Sequence, residues 1–480
     1  MLGLEKKVRF ARKVVLGLAS GPMDPTLTDF PGRKDGLNQG VQFILRIVDS
    51  PLQSLVDFRM PVHGPVVLGR APEGGVALPI TDPRISGTHA RIEPGGEDHV
   101  VVTDCGSKNG TFVNGLQIEQ AKVKLNDMVR VGSTLLVLSR MTNAVACEEP
   151  NHSVIGDGPD FRELCAHVST GARSNLPILL LGETGTGKEV FANMVHRKGG
   201  QGGNFVPVNC AAIPKDLVDS SLFGHEKGAF TGATEKRPGF FREAHLGTLF
   251  LDEIGDLPLE VQPRLLRAIE QGEVMSVGSS RPTRVETRLV AATNVDLEGA
   301  MGDGTFRADL FARLTGWTVE PSPLRSRRED ILRLGRFFLG RRPDEAAYGE
   351  PLWDADLAEA LVIYPWPYNI RELRQVMEQL LATRTGSLYT LDDAPEKIAD
   401  AFRRSRNGLD PAPTPTVKTS APAAADESTV AARPRTPDRE ALLLALEQND
   451  YNVSAVGRLF QRDRKQVYRW MRRHNIEPKD

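Results

Sequence analysis

The sequence predicts a multidomain chain: an all-β sandwich first, an α/β unit on a parallel sheet next, and a three-helix unit last. Three observations predict it. Between Val41 and Arg140, short β-rich runs (VQFILRIV, PVVLGR, HVVVTD, TLLVLS) alternate with turn signals, the pattern of a two-layer β fold. From about Ser153, apolar strand-like runs (PILLLG, TLFLDE) alternate with helical stretches such as PLEVQPRLLRAIEQG, the pattern of a parallel sheet flanked by helices. Asp438 to Asp480 regains helical periodicity after a stretch rich in Pro, Ala and Thr. That stretch has few large apolar residues, so it cannot bury a core and reads as a linker. The expected boundaries are a tail over 1–40, the sandwich over 41–140, the α/β unit over 153–402, the linker over 403–437 and the helical unit over 438–480.

Bulk composition narrows the function. A chain of 480 residues is too long for one core. A net charge of −2 gives no global attraction to nucleic acid, so any basic patch is local. The cysteines (Cys105, Cys147, Cys165, Cys210) are scattered without a CxxC pair. This excludes a zinc ribbon or disulfide framework and fits a reducing, cytoplasmic setting. No run approaches the ~18 apolar residues of a membrane span. The N-terminal KKVRFARKVVLGLASG has too short an apolar core for a signal peptide and reads as a tail or short helix.

The chemistry concentrates in the α/β unit. In LLLGETGTGKE, a strand ends at Gly182, and Glu183, Thr184, Gly185, Thr186 and Gly187 form a loop ahead of a helix. Backbone N–H groups and the helix N-terminus suit phosphate, and Lys188 is spaced to reach the β- and γ-phosphates of ATP. Glu189 stands where the general motif carries a Ser or Thr for Mg²⁺. The metal then relies on phosphate oxygens, water and a carboxylate elsewhere. Asp252, ending the strand GTLFLDE, suits that role, and Glu253 suits the base that orients the attacking water. The strand RLVAATN ends in Thr293 and Asn294, polar groups able to sense the γ-phosphate. Arg307 and Arg313 lie in FRADLFARL; on spacing alone each reads as a solvated surface charge.

Together these motifs resemble the AAA+ domain of bacterial sigma-54-dependent transcriptional activators. The most specific piece is GAFTGA: Gly228, Ala229, Phe230, Thr231, Gly232 and Ala233. The resemblance implies a P-loop ATPase with an α-helical lid, and a ring of six or seven copies. It makes Glu189 ordinary for the family. It makes Asn209 a switch restraining Glu253, Arg307 and Arg313 trans-acting arginines, and Arg371 a lid arginine that touches nucleotide. Tyr368, in WPYNIREL, replaces the family's usual glycine. The GAFTGA loop is implied to grip sigma-54: its glycines allow sharp turns, Phe230 offers apolar contact and Thr231 a hydroxyl. The stretch from Gly272 to Thr287 reads as a hairpin beside it.

The flanking units carry further resemblances. LGR, ISGTH and GSKNGTFVNG in the sandwich resemble a forkhead-associated (FHA) domain. That implies binding of a phosphothreonine protein or kinase, with Arg70 and Ser86 on the phosphate, Asn109 on the peptide backbone and His89 buttressing the loop. Gly87 stands where many relatives carry Arg, with Arg84 just upstream. The C-terminal unit resembles a Fis-like helix-turn-helix. Its last helix exposes Arg464, Lys465, Arg469, Arg472 and Arg473, suited to the major groove and phosphates of an upstream enhancer. The expected function is ATP-dependent activation of sigma-54 RNA polymerase under phosphothreonine control, with no membrane partner. The alternative is a generic AAA+ remodelling ATPase acting on another protein or on DNA.

Overall fold

The computed structural model describes residues 42–52, 55–72, 76–80, 82–145, 154–230, 233–340, 352–383 and 388–409, with residues 442, 446, 456 and 471. Thr231, Gly232, the tail over 1–40 and the basic residues Arg464, Lys465, Arg469, Arg472 and Arg473 lie outside the described residues. The chain divides into two compact units, residues 1–420 and 421–480. In the second, Leu442, Leu446, Val456 and Met471 are buried. Among the described residues no helix is long and apolar enough to cross a membrane.

Among the described residues, the first unit begins with eleven strands: β1 (Phe43–Asp49), β2 (Arg59–Pro61), β3 (Val66–Gly69), β4 (Val76–Pro79), β5 (Ala90–Pro94), β6 (His99–Asp104), β7 (Thr111–Val113), β8 (Leu116–Ile118), β9 (Gln120–Lys124), β10 (Met128–Val131) and β11 (Thr134–Arg140). They form two sheets, β2-β1-β11-β10-β7-β8 and β4-β3-β5-β6-β9. Alternation places Leu45, Ile47, Val129, Leu136 and Leu138 of one sheet against Leu68, Ile92, Val100 and Val102 of the other. This is the expected sandwich, because period-2 apolar residues bury one face of each sheet.

The α/β unit follows, with α1 (Pro159–Ala172), β12 (Ile178–Leu181), α2 (Lys188–Lys198), β13 (Phe205–Asn209), α3 (Lys215–Phe223), α4 (Phe240–Glu243), β14 (Thr248–Asp252), α5 (Gln262–Gln271), a hairpin of β15 (Glu273–Val274) and β16 (Thr283–Arg284), then β17 (Arg288–Thr293), α6 (Leu297–Gly302), α7 (Ala308–Leu314) and β18 (Trp317–Val319). The sheet order is β13-β14-β17-β12-β18, every pair parallel. The strands β12, β14 and β17 are buried nearly throughout, which is why they read as continuous apolar runs rather than alternating ones. The carboxyl ends of β12, β14 and β17 therefore come together at one edge, where such sheets bind ligands.

The lid comprises α8 (Arg328–Leu339), α9 (Ala355–Ile363), α10 (Asn369–Thr383) and α11 (Glu396–Arg406). α11 continues past residue 402 into the stretch expected to begin the linker. The lid does not bury its apolar face alone. Val48, Met128, Leu135 and Val137 of the sandwich share one buried cluster with Ile331, Leu357, Leu361 and Phe402 of the lid. Arg130 of β10 donates to Asp356 and to the fully buried Glu359, and Arg406 also donates to Glu359. A buried carboxylate needs such partners. The sandwich is thus packed onto the lid.

Candidate functional site

The phosphate loop runs from the end of β12 to the start of α2. Gly182, Gly185 and Gly187 all hold positive φ (154°, 81° and 95°), a shape open to glycine at little steric cost. A Cβ on Gly185 would lie 2.2 Å from the carbonyl oxygen of Tyr368 in the lid. The Ile370 N–H donates to the Gly185 carbonyl at 2.9 Å. Lys188 is almost fully buried; its ammonium donates to the carbonyls of Gly182 (2.8 Å) and Glu183 (3.3 Å). Burial lowers its pKa from the usual lysine range, against the raising effect of Glu253 and Asp252.

Asp252 ends β14, and Glu253 follows in the left-handed region at φ 52°. That conformation is uncommon for a residue with a Cβ and marks a position held by its surroundings. Burial raises the Glu253 pKa, opposed by Lys188 and reinforced by Asp252. Asn294, at the end of β17, donates its side-chain amide to Thr184 Oγ1 at 2.8 Å. Its backbone N–H lies 3.4 Å from Glu253 Oε2. The ends of three parallel strands therefore bring the loop, the two carboxylates and Asn294 together.

That cleft has a volume of about 370 Å³. Its polar side carries Thr184 to Glu189, Asp252, Glu253 and Arg371. Its apolar side carries Val154, Ile155, Leu334, Phe337, Phe338 and Ile370. Sequence reasoning did not assign these apolar residues. They come from three distant segments, and α8 carries only the ordinary amphipathic pattern of a packed helix. Arg371 lines the cleft. Tyr368 is exposed and its φ is not positive; Trp366 (48°) and Asn369 (53°) carry the left-handed turns instead. The missing glycine therefore needs no special backbone at Tyr368.

Other expected site residues stand apart from the cleft. Asn209 ends β13 opposite Asp252, but its Oδ1 accepts the Ala212 N–H at 3.2 Å and caps a short turn rather than reaching Glu253. Arg307 is the residue before α7, not inside a helix, and its guanidinium pairs with Asp309. Arg313 pairs with Glu270. Neither arginine lines the cleft of its own chain.

The GAFTGA segment closes on itself at its base. The Gly228 N–H donates to the Ala233 carbonyl (2.8 Å), and the Ala233 N–H to the Phe230 carbonyl (3.0 Å). Gly228 sits at φ 80°. The β15–β16 hairpin abuts this base: Val277 N–H donates to the Gly224 carbonyl, and Glu226 N–H to the Val277 carbonyl. Phe230 is 37% exposed, with its ring edge-on to His225, centroids 5.0 Å apart.

At one end of the sandwich, the loops bearing Arg70, Ser86 and Asn109 meet. Arg70 N–H donates to the Ser86 carbonyl, Lys108 N–H to Ser86 Oγ, and the Asn109 amide to the Arg84 carbonyl. A Cβ on Gly69 would lie 2.0 Å from the Gly87 carbonyl oxygen, so this approach requires a glycine there. His89 is fully buried. Its Nδ1 accepts from Ser86 N–H and its Nε2 faces the Gly110 carbonyl at 3.1 Å, which assigns the proton to Nε2 and the ring to bracing both loops. The guanidinium of Arg70 is exposed beside them.

Comparison with known proteins fits this architecture. Residues 154–320 match the sigma-54 interaction domain, residues 66–132 the FHA domain and residues 325–409 the AAA+ ATPase lid domain. The chain is 47% identical to the sigma54-dependent transcriptional activator SfnR of Pseudomonas putida, over 47% of this chain and 62% of that protein. It is 42% identical to the DNA-binding transcriptional regulator NtrC of Escherichia coli K12, over 52% of this chain and 54% of that protein. The matched regions thus span little more than half of these two relatives. Against the Psp operon transcriptional activator of Escherichia coli K12, identity is 43% over 53% of this chain and 78% of that protein. With a P-loop cleft, a GAFTGA loop and this coverage, the chain belongs to the family of sigma-54-dependent transcriptional activators.

Proposed function

We propose that this protein hydrolyses ATP to drive sigma-54 RNA polymerase into open-promoter formation, from upstream DNA and under control of a phosphothreonine partner. The single observation that carries the reading is the pairing of a phosphate cleft with a GAFTGA loop on one α/β unit. In this reading the apolar wall formed by Phe337, Phe338 and Ile155 takes the base, and the loop N–H groups with Lys188 take the phosphates. Asn294 ties the loop to the strand edge and holds Glu253, which accepts the proton of the attacking water.

Asp252 and Glu253 offer carboxylates on the polar side, and no cluster of three or more acidic, His or Cys ligands exists among the described residues. Such a donor set fits Mg²⁺, which keeps waters and phosphate oxygens as most of its ligands. When bound, Mg²⁺ would neutralise phosphate charge. Arg307 and Arg313, exposed and paired only with surface carboxylates, are available to a neighbouring copy's cleft, so the working form is a ring. Arg70, Ser86 and Asn109 take the phosphopeptide. Arg464, Lys465, Arg469, Arg472 and Arg473 take the DNA backbone.

The test is capture of purified sigma-54 by the full chain held with a transition-state nucleotide analogue. Nucleotide-dependent capture, lost in Thr231→Ala while ATP turnover persists, is the expected result. Capture of DNA alone, with no sigma-54, would favour a generic AAA+ remodeller.

A further inference from the structure

The sandwich reaches the phosphate loop through one short segment, residues 324–328. Two asparagine turns of the sandwich hold that segment. Asn126, in the β9–β10 turn at φ 69°, donates its amide to the Arg325 carbonyl (2.7 Å) and accepts the Arg328 N–H (2.9 Å). Asn114, in the β7–β8 turn at φ 48°, accepts from Arg328 Nη1 at 2.6 Å. On the opposite side, the Arg325 guanidinium donates to both carboxylate oxygens of Glu183, at 2.8 and 2.5 Å. Asn369 of the lid adds a third bond to Glu183 at 3.1 Å.

A loop with three glycines at positive φ has little conformational preference of its own. Its shape is set by what clamps it, and the forked Arg325–Glu183 pair is a directional clamp. The clamp's own backbone is fixed by Asn126. We infer that the sandwich is a working part of the nucleotide site: Asn126 is a positioning residue that sets Arg325 against Glu183 and thereby sets the grip of the phosphate loop on nucleotide. This rests on the reading of the cleft as a nucleotide site. By reciprocity, a ligand that shifts the β9–β10 turn changes nucleotide affinity, and nucleotide changes that ligand's affinity by the same factor.

The experiment titrates a fluorescent ADP analogue into the full chain and into Asn126→Gly, Glu183→Gln and the double variant. Glycine keeps the left-handed turn and removes only the two amide bonds. Asn126→Gly is expected to weaken ADP binding at least about fivefold, at an unchanged melting temperature. In the Glu183→Gln background the same change is expected to have no further effect, because the clamp is already gone. If Asn126→Gly lowers the melting temperature, Asn126→Asp replaces it, keeping the acceptor for Arg328 N–H and losing the donor to Arg325. Unchanged affinity in Asn126→Gly, or an equal loss in both backgrounds, overturns the inference. Failure of the unsubstituted chain to bind the analogue overturns the nucleotide reading itself, a distinct result.

Discussion

The Asn294 amide donates to the Thr184 hydroxyl across the cleft at 2.8 Å, while the Asn294 N–H lies 3.4 Å from the Glu253 carboxylate. One residue thus touches both the phosphate loop and Glu253, the proposed general base. Removing the base should leave binding intact and stop turnover. Glu253→Gln is expected to lower kcat by about 10²–10⁴-fold with nucleotide affinity little changed. Burial raises the Glu253 pKa, and the base acts only when ionised. Turnover is therefore expected to fall as pH drops through a value above the ordinary ~4.3 of glutamate. A steady-state pH profile checks this; an acid limb at or below that value would remove Glu253 from the role.

Gly185 is where the lid meets the phosphate loop. Its φ of 81° and the 2.2 Å approach of the Tyr368 carbonyl leave no room for a methyl group. Gly185→Ala must strain the loop or push the lid away, at about 1–3 kcal/mol. Nucleotide affinity is expected to fall by about tenfold or more, since each 1.4 kcal/mol is tenfold. Calorimetric titration with ADP reads it directly. An unchanged Kd would show that lid and loop do not need this contact to hold nucleotide.

The sandwich offers the opposite case, a glycine with space around it. A Cβ at Gly87 meets nothing within 4 Å, and its φ is not in the left-handed region. Gly87→Arg is expected to fold normally and to place a second guanidinium beside Arg70 and Ser86. A charge-assisted bond of this kind contributes about 1.5–3 kcal/mol, so affinity for phosphothreonine peptides should rise about tenfold or more. Fluorescence polarisation with a phosphothreonine peptide pool, and its unphosphorylated counterpart, measures the change. An equal gain for both pools would mean that the added charge is not reading phosphate.

Much of this architecture is legible in the sequence. The continuous apolar runs ILLL, TLFLD and RLVAAT read as buried strands, and the phosphate loop, Asp252, Glu253 and Asn294 lie where those strands end. What stayed hidden was contact between segments far apart in the chain. Val48 and Met128 lie on the strand face opposite Ile47 and Val129, where alternation alone predicts solvent, yet they are buried against the lid. The bonds of Asn126 to Arg325 and Arg328 cross some two hundred positions. Arg307 and Arg313 read as surface charges on spacing alone, and only the family resemblance implies a partner chain for them.

Asp49 links sandwich and lid through its ion pair with Arg336 on α8. Burial pushes its carboxyl up to about 6 from an ordinary 3.8, despite the lowering effect of Arg336 and the Ser50 N–H. The folded state therefore binds this proton more tightly than the unfolded chain does. Its contribution to stability is greatest below the unfolded value and declines as pH rises through about 6. Asparagine mimics the protonated side chain and does not titrate. Relative to the unsubstituted protein, Asp49→Asn is expected to gain about 2–3 kcal/mol of stability between pH 4 and pH 7, because each pKa unit is about 1.4 kcal/mol. Chemical denaturation across that range, followed at the sandwich–lid transition, measures the difference. A pH-independent gap between the two proteins would mean that Asp49 stays ionised throughout and that the Arg336 pair outweighs burial.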